Sequence, residues 1–201
     1  VLSSVLGNGL VFAVVMQQQK LGWRALFHPS NASMRATLML VVPPTLLLVP
    51  ALMLAITCAI NLLTLALPLS AWEEAMFSRM ADGSVAAVLA VCVMAPLLEE
   101  MLFRGIVLRG FLQRYGRGQA IFMSALLFGA AHMNIYQFVV GVAMGAVLGW
   151  LYERTRSLIP CIALHAAYNS ATLLVAGWLE DASPASSTKL STPAGAAALC
   201  G

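Results

Sequence analysis

Charge is what this sequence has least of. Only 9% of its residues are Asp, Glu, Lys or Arg, while 61% are hydrophobic. A soluble domain carries about 25% charged residues, so this chain cannot cover a water-facing surface, and a soluble globular fold is excluded. The cysteines are few and none forms a CxxC pair, which argues against a disulfide framework or a thiolate zinc site. Cys58, Cys92 and Cys161 fall in apolar runs and are expected to act as small apolar fillers, with Cys200 in the tail. HExxH is missing too: His132 is followed by Met133-Asn134, and His165 by Ala166-Ala167. The first apolar run, 1–16, lacks a basic n-region and a small-residue cleavage site. It is therefore read as a membrane span rather than as a signal peptide.

What the sequence does have is a succession of apolar runs. About 20 mainly apolar residues cross the hydrocarbon as a helix, and six candidates occur, at 1–16, 44–67, 84–98, 119–132, 137–152 and 158–179. The expected fold is all-α, a polytopic transmembrane helical bundle of about six spans. Pro43, Pro44 and Pro50 interrupt the second apolar region and predict a kink or a late start there. Gly141, Gly145 and Gly149 share one face of the fifth span, where small residues let a neighbouring helix come close. The segment 180–201, rich in Ala, Ser, Thr and Pro, is expected to be a disordered tail.

The cations follow a side rule. Alternating spans put Lys20, Arg24, Arg35, Arg104, Arg109, Arg114, Arg117, Arg154 and Arg156 on one face, with Arg79 and Lys189 opposite. Cytoplasmic loops carry the Lys/Arg excess, so that face is predicted to be cytoplasmic. The stretch 104–117 alternates arginines with Phe103, Ile106, Phe111 and Leu112. It predicts either an amphipathic segment along the interface or an ordinary basic loop.

Ionisable groups within spans are costly and mark functional sites by default. Here they are few. Glu100 and Arg104 are four apart on a helix and can pair, leaving Glu99 to project about 100° away. His132 ends Phe128-Gly129-Ala130-Ala131-His132, with Phe128 one turn before it and placed to pack on its ring. His165 and Asn169, four apart on the last span, point the same way.

Glu99-Glu100-x-x-x-Arg104, Phe128-x-x-x-His132 and His165-x-x-x-Asn169, in that order on successive apolar segments, resemble the three-motif signature of the CAAX-processing and bacteriocin-processing (CPBP, or Abi) intramembrane proteases. The resemblance implies a four-helix catalytic core within residues 84–179, preceded by an N-terminal transmembrane region at 1–83. It also implies an intramembrane endopeptidase of the CAAX prenyl protease type 2-like kind. Catalytic roles then fall to Glu99, His132, His165 and Asn169, and supporting roles to Glu100, Arg104 and Phe128. Glu99, helped by His132, would activate water; His165 and Asn169 would donate to the oxyanion.

Glu99, His132 and His165 could instead hold a catalytic Zn with one position open for water. Asn169 suits an oxyanion site better than a zinc shell, and the cofactor stays open at this point. The implied partners are the lipid bilayer and a protein or peptide substrate, prenylated in some relatives and so membrane-anchored; no nucleic acid is expected. The implied location is a bacterial-type plasma membrane, multi-pass, with the site near the cytoplasmic side. Two alternatives stand beside the enzyme: a non-catalytic self-immunity or interaction protein of the same fold, and a transporter. One spacing is awkward: with its span ending at Leu98, Glu99 lies at the cytoplasmic end, too far from His132 for joint work.

Overall fold

The computed structural model describes residues 12, 14, 16–18, 22–80 and 84–182. Most of the first predicted span, and the tail from 183 onward, lie outside the described residues. The others form helices α1 (Trp23–Phe27), α2 (Met34–Ala66), α3 (Ala71–Met80), α4 (Val85–Phe111), α5 (Arg117–Ala130), α6 (Ile135–Thr155) and α7 (Leu158–Asp181), and no strand occurs among them. The chain is an all-α integral membrane protein. Helices α2, α4, α6 and α7 are long and apolar enough to cross a bilayer. Their outward surfaces are leucine-rich: Leu47 and Leu65 of α2 are 79% and 81% exposed, as lipid-facing side chains are. Cys58, expected to be buried, also faces outward, whereas Cys92 and Cys161 are buried as expected.

Prolines shape the long helices. A proline has no N–H to close the turn behind it, and the wide, π-type turn at Thr37–Val41 of α2 comes just before Pro43-Pro44. In α4 the widened turn Ala90–Met94 likewise precedes Pro96, and a second spans Phe103–Leu108. Such turns leave carbonyls open to partners from other helices. Val91 O accepts from Asn169 Nδ2 at 2.9 Å, and Phe103 O from Ser124 Oγ at 3.3 Å. The sequence breaks of α4 therefore become its attachment points to α7 and α5.

Helix α4 departs from the sequence expectation in a way that matters for function. The predicted span stops at Leu98, but the helix continues through Glu99 and Glu100 to Phe111. The reason is electrostatic. Arg104 Nη1 bonds Glu100 Oε1 at 2.8 Å with both side chains fully buried, so the two charges cancel within the bundle and the helix need not end. The stretch 104–117 is thus neither an interfacial helix nor a simple loop. Its first half is packed span, with Phe103, Arg104, Gly105 and Leu108 buried.

Helix α5 has 14 residues, roughly 21 Å at 1.5 Å per residue, less than the ~30 Å hydrocarbon thickness. It is anchored at its start by Arg117 Nε, 3.1 Å from Glu153 Oε1 on α6, and ends partway down the bundle. It lies antiparallel to α6 at near backbone contact. A Cβ added at Gly141 would sit 2.7 Å from Gly129 Cα, and one at Gly145 would sit 2.9 Å from Ala125 Cα. The predicted packing face of α6 is therefore the face that receives α5. The turn 131–134 then reverses the chain, with Met133 at φ 53°. Asn134 Oδ1 accepts from Tyr136 N and Gln137 N, capping α6 as Asn commonly does.

Candidate active site

The continuation of α4 removes the spacing difficulty. Roughly 18 Å of helix separates Glu99 from Phe111 at 1.5 Å per residue, about the depth that α5 reaches. The carboxylate on α4 and His132 in the turn that ends α5 thus arrive at one level. Both line a cavity of about 490 Å³, together with Phe128, Met144, His165, Tyr168 and Asn169. A second cavity, about 240 Å³, borders the same Glu99 and His132 through Leu98, Leu102, Phe103 and Ala131. These two side chains stand between the cavities.

Behind them lies a buried charge network. Glu100 Oε1 accepts from Arg104 Nη1 and lies 2.9 Å from His165 Nδ1. Arg104 Nη2 also donates to Gly145 O at 3.3 Å. A carboxylate paired with arginine can only accept, so His165 Nδ1 carries a hydrogen. The other nitrogen, Nε2, points toward Glu99 Oε2 at 3.8 Å. His132 is oriented the same way by a different partner. Its Nδ1 lies 2.9 Å from Phe128 O, and a carbonyl accepts only. Neutral forms of both rings therefore present an unprotonated Nε2.

Phe128 is the platform for all of this. Its ring meets those of His132 and His165 edge-on, at 5.3 and 5.8 Å with 90° between planes. The Arg104 guanidinium carbon stands 4.5 Å from its centroid, and Phe103 packs edge-on at 5.0 Å. One aromatic side chain thus seats two imidazoles and a cation, in contacts worth about 0.5–1.5 kcal/mol for an aromatic pair and up to ~2 for a desolvated cation. The sequence indicates the contact with His132 but not the other three.

Residues at the far end of the cavity carried no sequence signal of their own. Phe77 of α3 lines it and packs edge-on against Tyr136 at 6.3 Å. Glu73, on the same helix, accepts from Asn134 Nδ2 at 3.2 Å, and Tyr136 Oη donates to Leu67 O. Helix α3 is tied in this way to the turn that carries His132. The only available clue was Ser70-x-x-Glu73, a capping box that starts a helix: Ser70 N and Oγ donate to Glu73 Oε2 at 2.9 and 2.7 Å.

All seven residues singled out in the sequence fall within one matched segment. Residues 81–171 match the family model described as Rce1-like, a type II CAAX prenyl endopeptidase. Over these residues, which are less than half of the chain, the core is similar to that family. Among curated proteins, "Putative membrane peptidase YdiL" of Bacillus subtilis (strain 168) is 26% identical over 83 residues, which are 41% of this chain and 34% of that protein. The chain spans about a third of the length of this relative. No solved structure matches the chain. The matched segment covers α4 to α6 and the first part of α7, the elements that carry the charge network and most of the cavity lining.

A metal is the remaining question of composition. The donors are chemically suitable, since two imidazole Nε2 atoms and a carboxylate are a zinc set. Their placement does not suit: among the described residues, no group of three His, Cys, Asp or Glu side chains is arranged to hold an ion.

Proposed function

We infer that this protein is an intramembrane endopeptidase whose catalytic unit is the 84–179 core. The observation that carries the reading is that Glu99 of α4, His132 of the turn after α5, and His165 and Asn169 of α7 line one cavity. Similarity to that family over residues 81–171 supports peptidase chemistry, and the wiring of the site supports an assignment of roles.

Glu99 is the general base. It removes a proton from a water held by a hydrogen bond to His132 Nε2, and the water oxygen bonds to the scissile carbonyl carbon. His165 donates to the developing oxyanion. With its Nδ1 hydrogen committed to Glu100, it can do so only from a protonated Nε2, so the working ring is an imidazolium held between Glu100 and Glu99. Asn169 supplies the second donor, having one amide hydrogen on Val91 O and another to give. Collapse of the tetrahedral intermediate breaks the C–N bond, and Glu99 passes its proton to the leaving amine. Arg104 and Phe128 hold the geometry.

The test is a comparison of membrane and released peptides from cells carrying the intact protein or Glu99→Gln. The reading predicts termini present only with the intact protein; identical peptide sets would overturn it.

A further inference from the structure

The cavity occupies only one half of the bundle, and that half is opposite the arginines. Arg109 and Arg114 end or follow α4, Arg117 starts α5, Arg154 and Arg156 end α6, and Arg35 starts α2. Arg24 joins them on α1, which Arg109 holds through Ala25 O at 2.6 Å. The connections at the other end, 67–84 and 131–134, contain Arg79 as their one cation.

The helices approach the cavity from known directions. It takes Val91, Ala95 and Glu99 from the first part of α4, Gln137 to Met144 from the first part of α6, and His165 to Ala176 from α7, with Phe77 of α3 beyond them. None of its lining comes from the arginine-bearing ends of these helices. That half is packed solid by Leu108, Leu148, Tyr152, Leu158 and Leu164, each 0–1% exposed, around the closed Glu100–Arg104 pair. The larger cavity therefore runs from Glu99 toward Phe77, Gln137 and Ala176. On the arginine side the smaller cavity reaches only Leu102 and Phe103, short of the buried Leu108, Leu148, Tyr152 and Leu158.

Short loops rich in arginine stay in the cytoplasm. Together these two facts point away from the cytoplasmic side expected from the resemblance. We propose that the cavity opens to the non-cytoplasmic face of the membrane, and that its substrates are extended peptide segments of membrane-anchored proteins exposed on that face. The sidedness stands on charge and cavity position; the substrate half rests on the peptidase reading above.

Thiol labelling tests the sidedness without any turnover. Thr172→Cys and Ala176→Cys line the cavity, Arg114→Cys marks the arginine end, and the unsubstituted protein, with its own cysteines, is the blank. A charged, membrane-impermeant maleimide is applied to intact spheroplasts and to inverted vesicles. Labelling of Thr172→Cys or Ala176→Cys above the blank is expected to be at least several-fold greater in spheroplasts, with Arg114→Cys showing the opposite preference. Cavity positions labelled mainly in inverted vesicles, or labelled in neither preparation, would overturn the proposal, as would Arg114→Cys labelled from spheroplasts. For the substrate half, termini lost in Glu99→Gln cells should map to outward-facing segments of membrane proteins; termini from cytoplasmic segments would refute it. If Glu99→Gln changes no peptide while the labelling pattern holds, the peptidase reading fails and the sidedness survives.

Discussion

Glu100 Oε1 lies 2.9 Å from Nδ1 of His165, joining α4 to α7 across 65 residues of chain. The same oxygen takes the Arg104 guanidinium. Glu100 therefore does more than neutralise a buried arginine, because it dictates which nitrogen of His165 faces Glu99. A carboxamide at this position keeps the size and loses the charge that would stabilise a protonated ring. Glu100→Gln is expected to lower kcat much more than it raises KM, while the protein still inserts and folds. Single-turnover cleavage with a defined substrate separates the two.

Glu99→Ala and His132→Ala remove the base and the group that orients water. Each should reduce cleavage by at least 10²-fold, the scale of general-base catalysis, with membrane insertion unchanged. Wild-type rates in either variant would remove that residue from the mechanism.

Arg104 is fully buried against Glu100 and Phe128. Removing one partner of a buried pair strands the other, at a cost of about 3–5 kcal/mol. Arg104→Ala should unfold at markedly lower temperature in detergent. Arg104→Ala with Glu100→Ala should recover part of the loss, which a double-mutant cycle would measure.

Gly141 has no space for a side chain, since its Cβ would fall 2.7 Å from Gly129 Cα and 3.6 Å from His132 Nδ1. Gly141→Ala must push α5 away from α6 and shift His132 with it. The expected result is a loss of about 1–3 kcal/mol, the usual scale of overpacking, and a disproportionate loss of activity. Calorimetry and cleavage assays on the same preparation test both.

Glu73 lies outside the spanning helices, and Ser70 N–H and then Ser70 Oγ–H hold its carboxyl below the usual carboxylate range. A lowered folded-state value gives stability that is present above the ordinary carboxylate pKa and is lost as pH falls through the lower one. The stability gap between wild type and Glu73→Gln should therefore close on acidification. Thermal unfolding across that range reads it, and a gap independent of pH would count against the contact.

Glu99, His132, His165 and Asn169 supply the proton transfers and hydrogen bonds of the proposed reaction, so cleavage should survive chelation and dialysis. Zinc bound one per chain, with activity lost on its removal, would reassign Glu99, His132 and His165 as ligands.

Composition and apolar runs were enough to give an all-α membrane bundle, because so few charges cannot solvate a surface. Helical spacing was enough to pair Glu100 with Arg104 and to send His165 and Asn169 in one direction, since those relations lie within single helices. The depth of Glu99 is not legible in the sequence, because adjacent charges ordinarily end a span. Here a partner one turn away cancels Glu100, which a count of charges cannot register.

Relations between helices needed the fold. The meeting of Glu99 with His132, the four contacts of Phe128 and the closure of the arginine half all depend on helix depth and crossing. Those are set by where α5 stops and how closely glycine lets it approach α6. Periodicity along a chain tells which residues share a face, whereas what that face meets is a matter of packing in three dimensions.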